Sequence, residues 1–150
     1  MYTPMTREQV YEFIESHILT AHLATVRQDG RPHVAPIWIA TDGEDIVWNT
    51  GEDTVKGNNL LRTGYAAISM DDSVPPFNSV RLEGPVTCST DLEEVRHWAG
   101  IIGGRYMGQE QAEAFGERNG VPGEMLCRMT PTRASGIFAV AEFAENKPAE

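Results

Sequence analysis

The sequence predicts a mainly β, α+β fold: an antiparallel barrel with a few short helices. About six or seven segments have the composition or alternation of strands, and tight turns join most of them. Stretches with a helical period are few, and they do not alternate regularly with the strands. This order favours an antiparallel barrel over a doubly wound parallel sheet.

The composition indicates one globular domain. Of the 150 residues, 41% are hydrophobic and 23% are charged, which is typical of a globular protein. We expect one domain over residues 1–143 and a disordered tail over residues 144–150. No apolar run approaches the roughly 20 residues needed to cross a bilayer, and the first residues lack the apolar region of a signal peptide. We therefore expect a cytoplasmic protein with no membrane partner.

The charge distribution narrows the class of ligand. A formal net charge of −10 argues against general nucleic-acid binding, because that needs a basic face. A small anion responds to local charge instead, and Arg27, Arg31, Lys56 and Arg62 concentrate positive charge in the first half of the chain. The first half is therefore the expected anion site.

The first half of the chain is predicted to contain a helix and three strands. Thr6 and Gln9 have capping-box spacing at the start of a helix over residues 5–17. The strands are predicted over residues 21–27, 31–40 and 46–50. Pro32 and Pro36 each remove a ladder donor from the second strand, so this strand should lie at an edge or a bulge.

The second half is predicted to contain the remaining strands and two more helices. The strands are expected over residues 66–70, 79–88, 124–130 and 135–140. Gly84 and Pro85 predict a bend in the longest of them. Asp91 should cap a helix that ends near residue 100, because several glycines follow, and another short helix is predicted over residues 109–118. These glycines are Gly100, Gly103, Gly104 and Gly108.

Residues 53–70 carry the main functional prediction, a candidate anion site, because they combine a helix start with a lysine. Thr54 should cap the helix, Lys56 lies just inside it, and Leu60 and Leu61 should face the core. The predicted strand over residues 46–50 leads into this helix through Gly51. Free backbone amides, the helix dipole and the lysine together form a candidate anion site. The alternative is a solvated surface lysine beside an ordinary helix cap.

The sequence contains none of the common catalytic or nucleotide-binding motifs, and no nucleophile is identifiable. Cys88 and Cys127 form no CxxC pair and are expected to be free thiols. Trp38 and Trp48 are expected in the core, or else one of them flanks a planar ligand. The four histidines have no metal-ligand spacing and are expected at the surface or at caps: His17, His22, His33 and His97.

Three segments in order carry a resemblance to a known family: LATVRQDGRPHVAPIWI, IVWNTGEDTVKGNNL and VRLEGPV. Over residues 23–86 they resemble the pyridoxamine-phosphate-oxidase-like split β-barrel superfamily, and most of all its small F420 (deazaflavin)-dependent oxidoreductases. The resemblance implies a homodimer with two cofactor sites at the subunit interface. It also implies hydride transfer from reduced F420 to a small electron-poor acceptor, without a catalytic side chain and without a metal.

The resemblance further implies which residues contact the cofactor. The ring would lie along the second strand, near His33, Ala35, Pro36 and Ile37. The phosphate would be held by Thr50, Gly51, Lys56 and Asn59, with Asn49 and Leu60 beside them.

Two departures from the family pattern keep alternatives open. Family members often have arginine at the positions of Glu52 and Asn58. FMN is a shorter and less anionic ligand than F420, so an FMN-binding oxidoreductase of the same fold is the first alternative. A non-catalytic flavin- or haem-binding protein is the second.

Overall fold

The computed structural model describes residues 3–141, which form a curled, nine-stranded antiparallel sheet with four helices. The predicted tail over residues 144–150 lies outside the described residues. The strands are β1 (Thr3–Pro4), β2 (Ala21–Val26), β3 (Pro32–Ile37), β4 (Ala40–Asp42), β5 (Asp45–Gly51), β6 (Tyr65–Asp71), β7 (Ser79–Ser89), β8 (Glu124–Met129) and β9 (Arg133–Phe138). The helices are α1 (Arg7–Ser16), α2 (Val55–Thr63), α3 (Leu92–Met107) and α4 (Ala112–Asn119), with a 3-10 turn (Gln109–Gln111) before α4. No helix in residues 3–141 is both long and apolar enough to cross a membrane.

The long strand β7 joins the two parts of the sheet. Its first part pairs with β6 and β9, and its second part, from Val86 on, pairs with β8. The change of partners occurs near Gly84 and Pro85, where the sequence predicts a bend. A Cβ on Gly84 would lie 2.3 Å from the carbonyl oxygen of Thr130. Only glycine therefore permits the backbones of these two segments to approach so closely.

The predicted second strand is divided into two, which corrects the prediction of one strand over residues 31–40. Strand β3 pairs with β2, and β4 pairs with β5. Between them, Ile39 is fully buried and its backbone N–H donates to the hydroxyl of Tyr106. The break therefore lets the chain pass from one part of the sheet to the other. Strand β3 lies at the end of the sheet, as its prolines predict.

Helix α3 is longer than predicted, and this is the main error in the secondary structure. It continues through the glycines to Met107 instead of ending near residue 100. A Cβ on Gly103 would lie 2.3 Å from the Cβ of Phe115, and one on Gly100 would lie 3.1 Å from the carbonyl oxygen of Ala112. The glycines therefore allow α3 and α4 to pack closely, and this packing outweighs their low helix propensity.

Local signals elsewhere are confirmed. Thr6 and Gln9 form the predicted capping box, and Asp91 caps α3 by accepting from the backbone of Glu93 and Glu94. Trp48 is fully buried in the main core, which excludes it as a flank for a ligand. The strand β1 was not predicted, because two residues carry no periodicity.

Candidate functional site

A cleft of about 390 Å³ lies between the end of β3, the start of α2 and the α3–α4 pair. Four of its lining residues are among those expected to contact a cofactor: Pro36, Ile37, Asn49 and Lys56. The others are Thr20, Trp38, Ala99, Ile102, Gly103, Phe115 and Asn119. The fold thus brings part of the expected ring strand and the expected anion site to one cleft.

Sequence reasoning missed the wall that α3 and α4 contribute. It treated the glycines of α3 as helix breakers, although Gly100, Gly103 and Gly104 recur at the three- and four-residue spacing of one helix face. Small residues at that spacing are a signal for close approach of a second helix. Reading the signal in this way would have placed Ile102 and Phe115 near the cleft.

The start of α2 is held in place by Thr54, as predicted. Its hydroxyl accepts from the backbone N–H of Gly57 at 3.0 Å and donates to the carbonyl of Gly51 at 2.7 Å. A Cβ on Gly57 would lie 2.1 Å from that carbonyl oxygen, so the turn requires glycine. A helix leaves the amides of its first turn without helical partners. Here Gly57 bonds to the cap, which leaves the N–H groups of Val55 and Lys56 for water or an anion.

The charges around Lys56 are mixed. Lys56 is half-buried in the cleft wall, and no carboxylate of residues 3–141 lies within ion-pair distance of it. It is nevertheless close enough to Glu124 to act on that group. Burial raises the pKa of Glu124, the Lys56 charge opposes this rise, and Asp53 adds to it. The Lys56 charge therefore acts beside two acids, Glu124 and Asp53, which weaken the attraction of a negatively charged ligand to the start of α2.

The structure places the other expected phosphate residues behind the cleft surface. Thr50 is buried, with its hydroxyl 3.3 Å from that of Thr54, and Gly51 is half-buried at the turn. Asn59 is buried and donates to the Thr25 hydroxyl at 3.0 Å, so its amide ties α2 to β2. Leu60 belongs to the core. None of these four residues lines the cleft, and their contact with a cofactor stays a prediction.

Leu61 is not buried, contrary to prediction. Its side chain is 57% exposed, whereas Leu60 is 1% exposed. Consecutive helix positions are about 100° apart, so the two leucines cannot both face the same core. This exposure leaves an apolar side chain of α2 on the surface.

The expected ring residues divide between the two faces of β3. His33, Ala35 and Ile37 alternate with the more exposed Val34 and Pro36. His33 and Ala35 do not line the cleft, but they lie on the same edge strand. The buried Nδ1 atom of His33 has no hydrogen-bond partner among the described residues. A ligand group along this strand would remove the cost of that unsatisfied atom, so the strand fits a bound ring.

Trp38 forms a rigid aromatic wall of the cleft. Its ring stacks on Tyr106 with centroids 4.9 Å apart and planes inclined by 3°, and Phe115 lies 5.9 Å away. The Tyr106 hydroxyl donates to the carbonyl of Leu19 at 2.7 Å and accepts from Ile39. Trp38 is 38% exposed. Trp38, and not Trp48, is therefore the tryptophan placed to contact a planar ligand.

The cleft contains few groups suited to acid–base or metal chemistry. Its polar side chains are those of Thr20, Asn49, Lys56 and Asn119. Within residues 3–141, no three histidine, cysteine or carboxylate side chains are arranged to hold a metal ion. The arrangement is suited to binding and orienting a planar, anionic molecule.

Several solved structures share this fold. A conserved hypothetical protein from Mycobacterium tuberculosis is 22% identical, with a TM-score of 0.74 over 87% of this chain and 82% of that one. A protein described as an F420 reductase is 25% identical, with a TM-score of 0.63 over 79% of this chain and 90% of that one. The haem storage protein HutZ from Vibrio cholerae is 18% identical, with a TM-score of 0.69 over 92% of this chain and 100% of that one. No curated protein sequence matches this chain.

The family follows from a match over most of the chain. The model described as pyridoxamine 5'-phosphate oxidase matches residues 6–138. The curled antiparallel sheet is the split barrel that the resemblance over residues 23–86 implies. The chain belongs to the pyridoxamine 5'-phosphate oxidase family.

Proposed function

We propose that this protein is a reductase that uses a flavin-type cofactor, with F420 as the leading candidate, and that acts on a small electron-poor organic molecule. The observation that carries the proposal is the cleft itself. It joins a helix N-terminus bearing Lys56 to the proline-containing edge strand β3. The similarity to an F420 reductase at 25% identity supports the choice of cofactor.

The start of α2 supports binding of a phosphate. The free amides of Val55 and Lys56 and the helix dipole favour an anion there, and the lysine ammonium adds a full charge. The turn is kept in one conformation by the Thr54 cap and by Gly57. The anion site is therefore preorganised, so little ordering is needed when the ligand binds.

The β3 edge and Trp38 support binding of planar groups. Pro36 has no N–H, and within residues 3–141 β3 pairs with β2 alone, so its outer edge is open to a ligand. Trp38 offers an aromatic surface that Tyr106 holds in place. When bound, a reduced flavin or deazaflavin would supply a hydride, and Pro36, Trp38 and Lys56 would position it in the cleft.

The site is proposed to be completed by a second copy of the chain. Val34, Ala24 and Ala67 stand opposite one another on β3, β2 and β6 and line an open groove of about 780 Å³ on the outer face of the sheet. Val34 is 63% exposed, and on α2 Leu61 is 57% exposed. Apolar side chains on the same strand and helix that border the cleft favour a homodimer whose interface adjoins it.

FMN is the second candidate cofactor, and the acids near Lys56 favour it. Glu52 and Asp53 are exposed beside the helix start, and Glu124 lies close to Lys56. A ligand with one phosphate meets less repulsion there than F420, whose phosphate is followed by a glutamate-rich tail. A haem carrier is less well supported, because the described lining of the cleft contains no histidine, cysteine, methionine or tyrosine to bind the iron.

Side-by-side titration tests the proposal. Purified protein is titrated with F420 and with FMN, and binding is followed by fluorescence. It is then mixed with reduced F420 and a panel of quinones and unsaturated carbonyl compounds, and reoxidation of F420 is followed by absorbance. We expect saturable F420 binding and protein-dependent reoxidation with at least one acceptor. Absence of binding to both cofactors would refute the cofactor site, and binding without reoxidation would identify a carrier.

A further inference from the structure

The fold brings together two cysteines that lie 39 residues apart in the sequence. Cys88 on β7 and Cys127 on β8 are directly opposed in the antiparallel register. Their Sγ atoms are 3.4 Å apart, and both thiols are free. This pair is outside the cleft lining and is independent of the proposed function.

The two thiols differ in their access to solvent. Cys127 is fully buried in the main core, whereas Cys88 is partly exposed at its margin. An oxidant from solvent therefore reaches Cys88 more readily than Cys127.

The hydrogen bond between the thiols reinforces this difference. It lowers the pKa of Cys88, although burial opposes the change. The same hydrogen bond, together with burial, raises the pKa of Cys127. Because the thiolate is the nucleophile, Cys88 is the more reactive member of the pair.

We propose that Cys88 and Cys127 form a peroxide-oxidisable dithiol that closes reversibly to an intramolecular disulfide. The Cys88 thiolate attacks hydrogen peroxide, takes one oxygen to become a sulfenic acid and releases hydroxide, which is protonated to water. The Cys127 sulfur then attacks the Cys88 sulfur, and the Cys127 proton joins the hydroxide that leaves. An S–S bond forms, the S–O bond breaks and a second water leaves. In total two thiols and one peroxide give one disulfide and two waters.

The geometry permits this bond. The sulfurs must approach from 3.4 Å to about 2.05 Å. Directly opposed residues on antiparallel strands have Cβ atoms about 4.5–5.5 Å apart, and a relaxed disulfide needs about 3.5–4.5 Å. A small approach of the two strands therefore suffices to form the bond.

Peptide mapping of the folded, full-length protein tests the proposal. The protein is treated with hydrogen peroxide, alkylated in denaturant without reductant, digested and examined by mass spectrometry. We expect a cross-link between the peptides of Cys88 and Cys127 within one chain, with two hydrogen atoms lost, and its disappearance after dithiothreitol. Over-oxidation of Cys88 without a cross-link, or a cross-link only between chains, would overturn the proposal.

Two variants assign the roles of the thiols. In Cys127→Ser the oxidation of Cys88 should stop at the sulfenic acid, which dimedone traps, and in Cys88→Ser the buried Cys127 should stay reduced. Thermal melts check that each variant is folded. If a variant is unfolded, the presence or absence of the cross-link in the wild-type protein still tests the proposal. Oxidation of Cys127 in Cys88→Ser at the wild-type rate of Cys88 would contradict the proposed order.

Discussion

Removing the ammonium group of Lys56 should weaken binding of the cofactor about ten- to a hundredfold. A hydrogen bond to a charged group contributes roughly 1.5–3 kcal/mol, and roughly 1.4 kcal/mol corresponds to a factor of ten. Lys56→Ala leaves the backbone amides of α2 and the Thr54 cap in place, so some affinity should persist. Lys56 is half-buried in the cleft, which reduces screening by solvent, whereas Glu124 and Asp53 partly offset its charge.

The assay is titration of wild type and variants with F420 and with FMN at one ionic strength. Lys56→Arg keeps the charge and should retain most of the affinity. Arg31→Ala is the matched control, because it removes a cation from a side chain that is 81% exposed and does not line the cleft. Unchanged affinity of Lys56→Ala for both cofactors would refute the reasoning. An equal loss in Arg31→Ala would assign the effect to overall charge.

A second measurement on the same variant needs no cofactor. The Lys56 charge opposes the rise of the Glu124 pKa that burial causes. Lys56→Ala should therefore raise the pKa of Glu124 further, which an NMR titration of its side-chain carboxyl resonance measures. An unchanged pKa would mean that the two groups do not interact.

Glu52→Arg distinguishes the two cofactors. Glu52 is exposed beside the helix start, directly after Gly51. The change replaces a negative charge with a positive one, and only F420 has a long anionic tail to benefit from it. F420 affinity should rise more than FMN affinity in the same titrations, and an equal rise for both would argue against contact with the tail.

Three further predictions concern packing, pH and assembly. Gly103→Ala should lower the unfolding free energy by about 1–3 kcal/mol, because its Cβ would overlap the Cβ of Phe115, and the loss should shrink in a Phe115→Gly background, which removes that atom; urea unfolding measures both. Burial tends to raise the pKa of Asp72, but hydrogen bonds from the Asn78 amides outweigh it and lower the pKa. The stability from Asp72 should therefore be present above about pH 4 and lost as the pH falls through the lowered value, and Asp72→Asn should flatten this part of the urea-unfolding profile. Val34→Asp should give a monomer by light scattering where wild type gives about twice the 16.6 kDa chain mass, and a monomeric wild type that binds cofactor would refute the shared site.

The sequence predicted the parts of the fold that depend on neighbouring residues. The caps at Thr6, Thr54 and Asp91 formed as expected, because a side chain and a backbone amide two or three residues away suffice to make them. The glycine at position 84 likewise marks the place where the backbone of Thr130 approaches β7. The candidate anion site at Lys56 could be located in the sequence, because a strand, a glycine and a helix start follow one another along the chain.

Only the tertiary structure decided the features that depend on distant segments. The glycines of α3 are helix breakers by propensity, and it is the approach of Phe115 that makes them part of a helix and creates one wall of the cleft. Cys88 and Cys127 are unrelated in sequence, and strand pairing alone places their sulfurs in contact. Helix propensity and capping depend on neighbouring residues, so their contributions to stability can be inferred from the sequence alone. Packing between elements is set by which surfaces meet, and this depends on the whole chain at once.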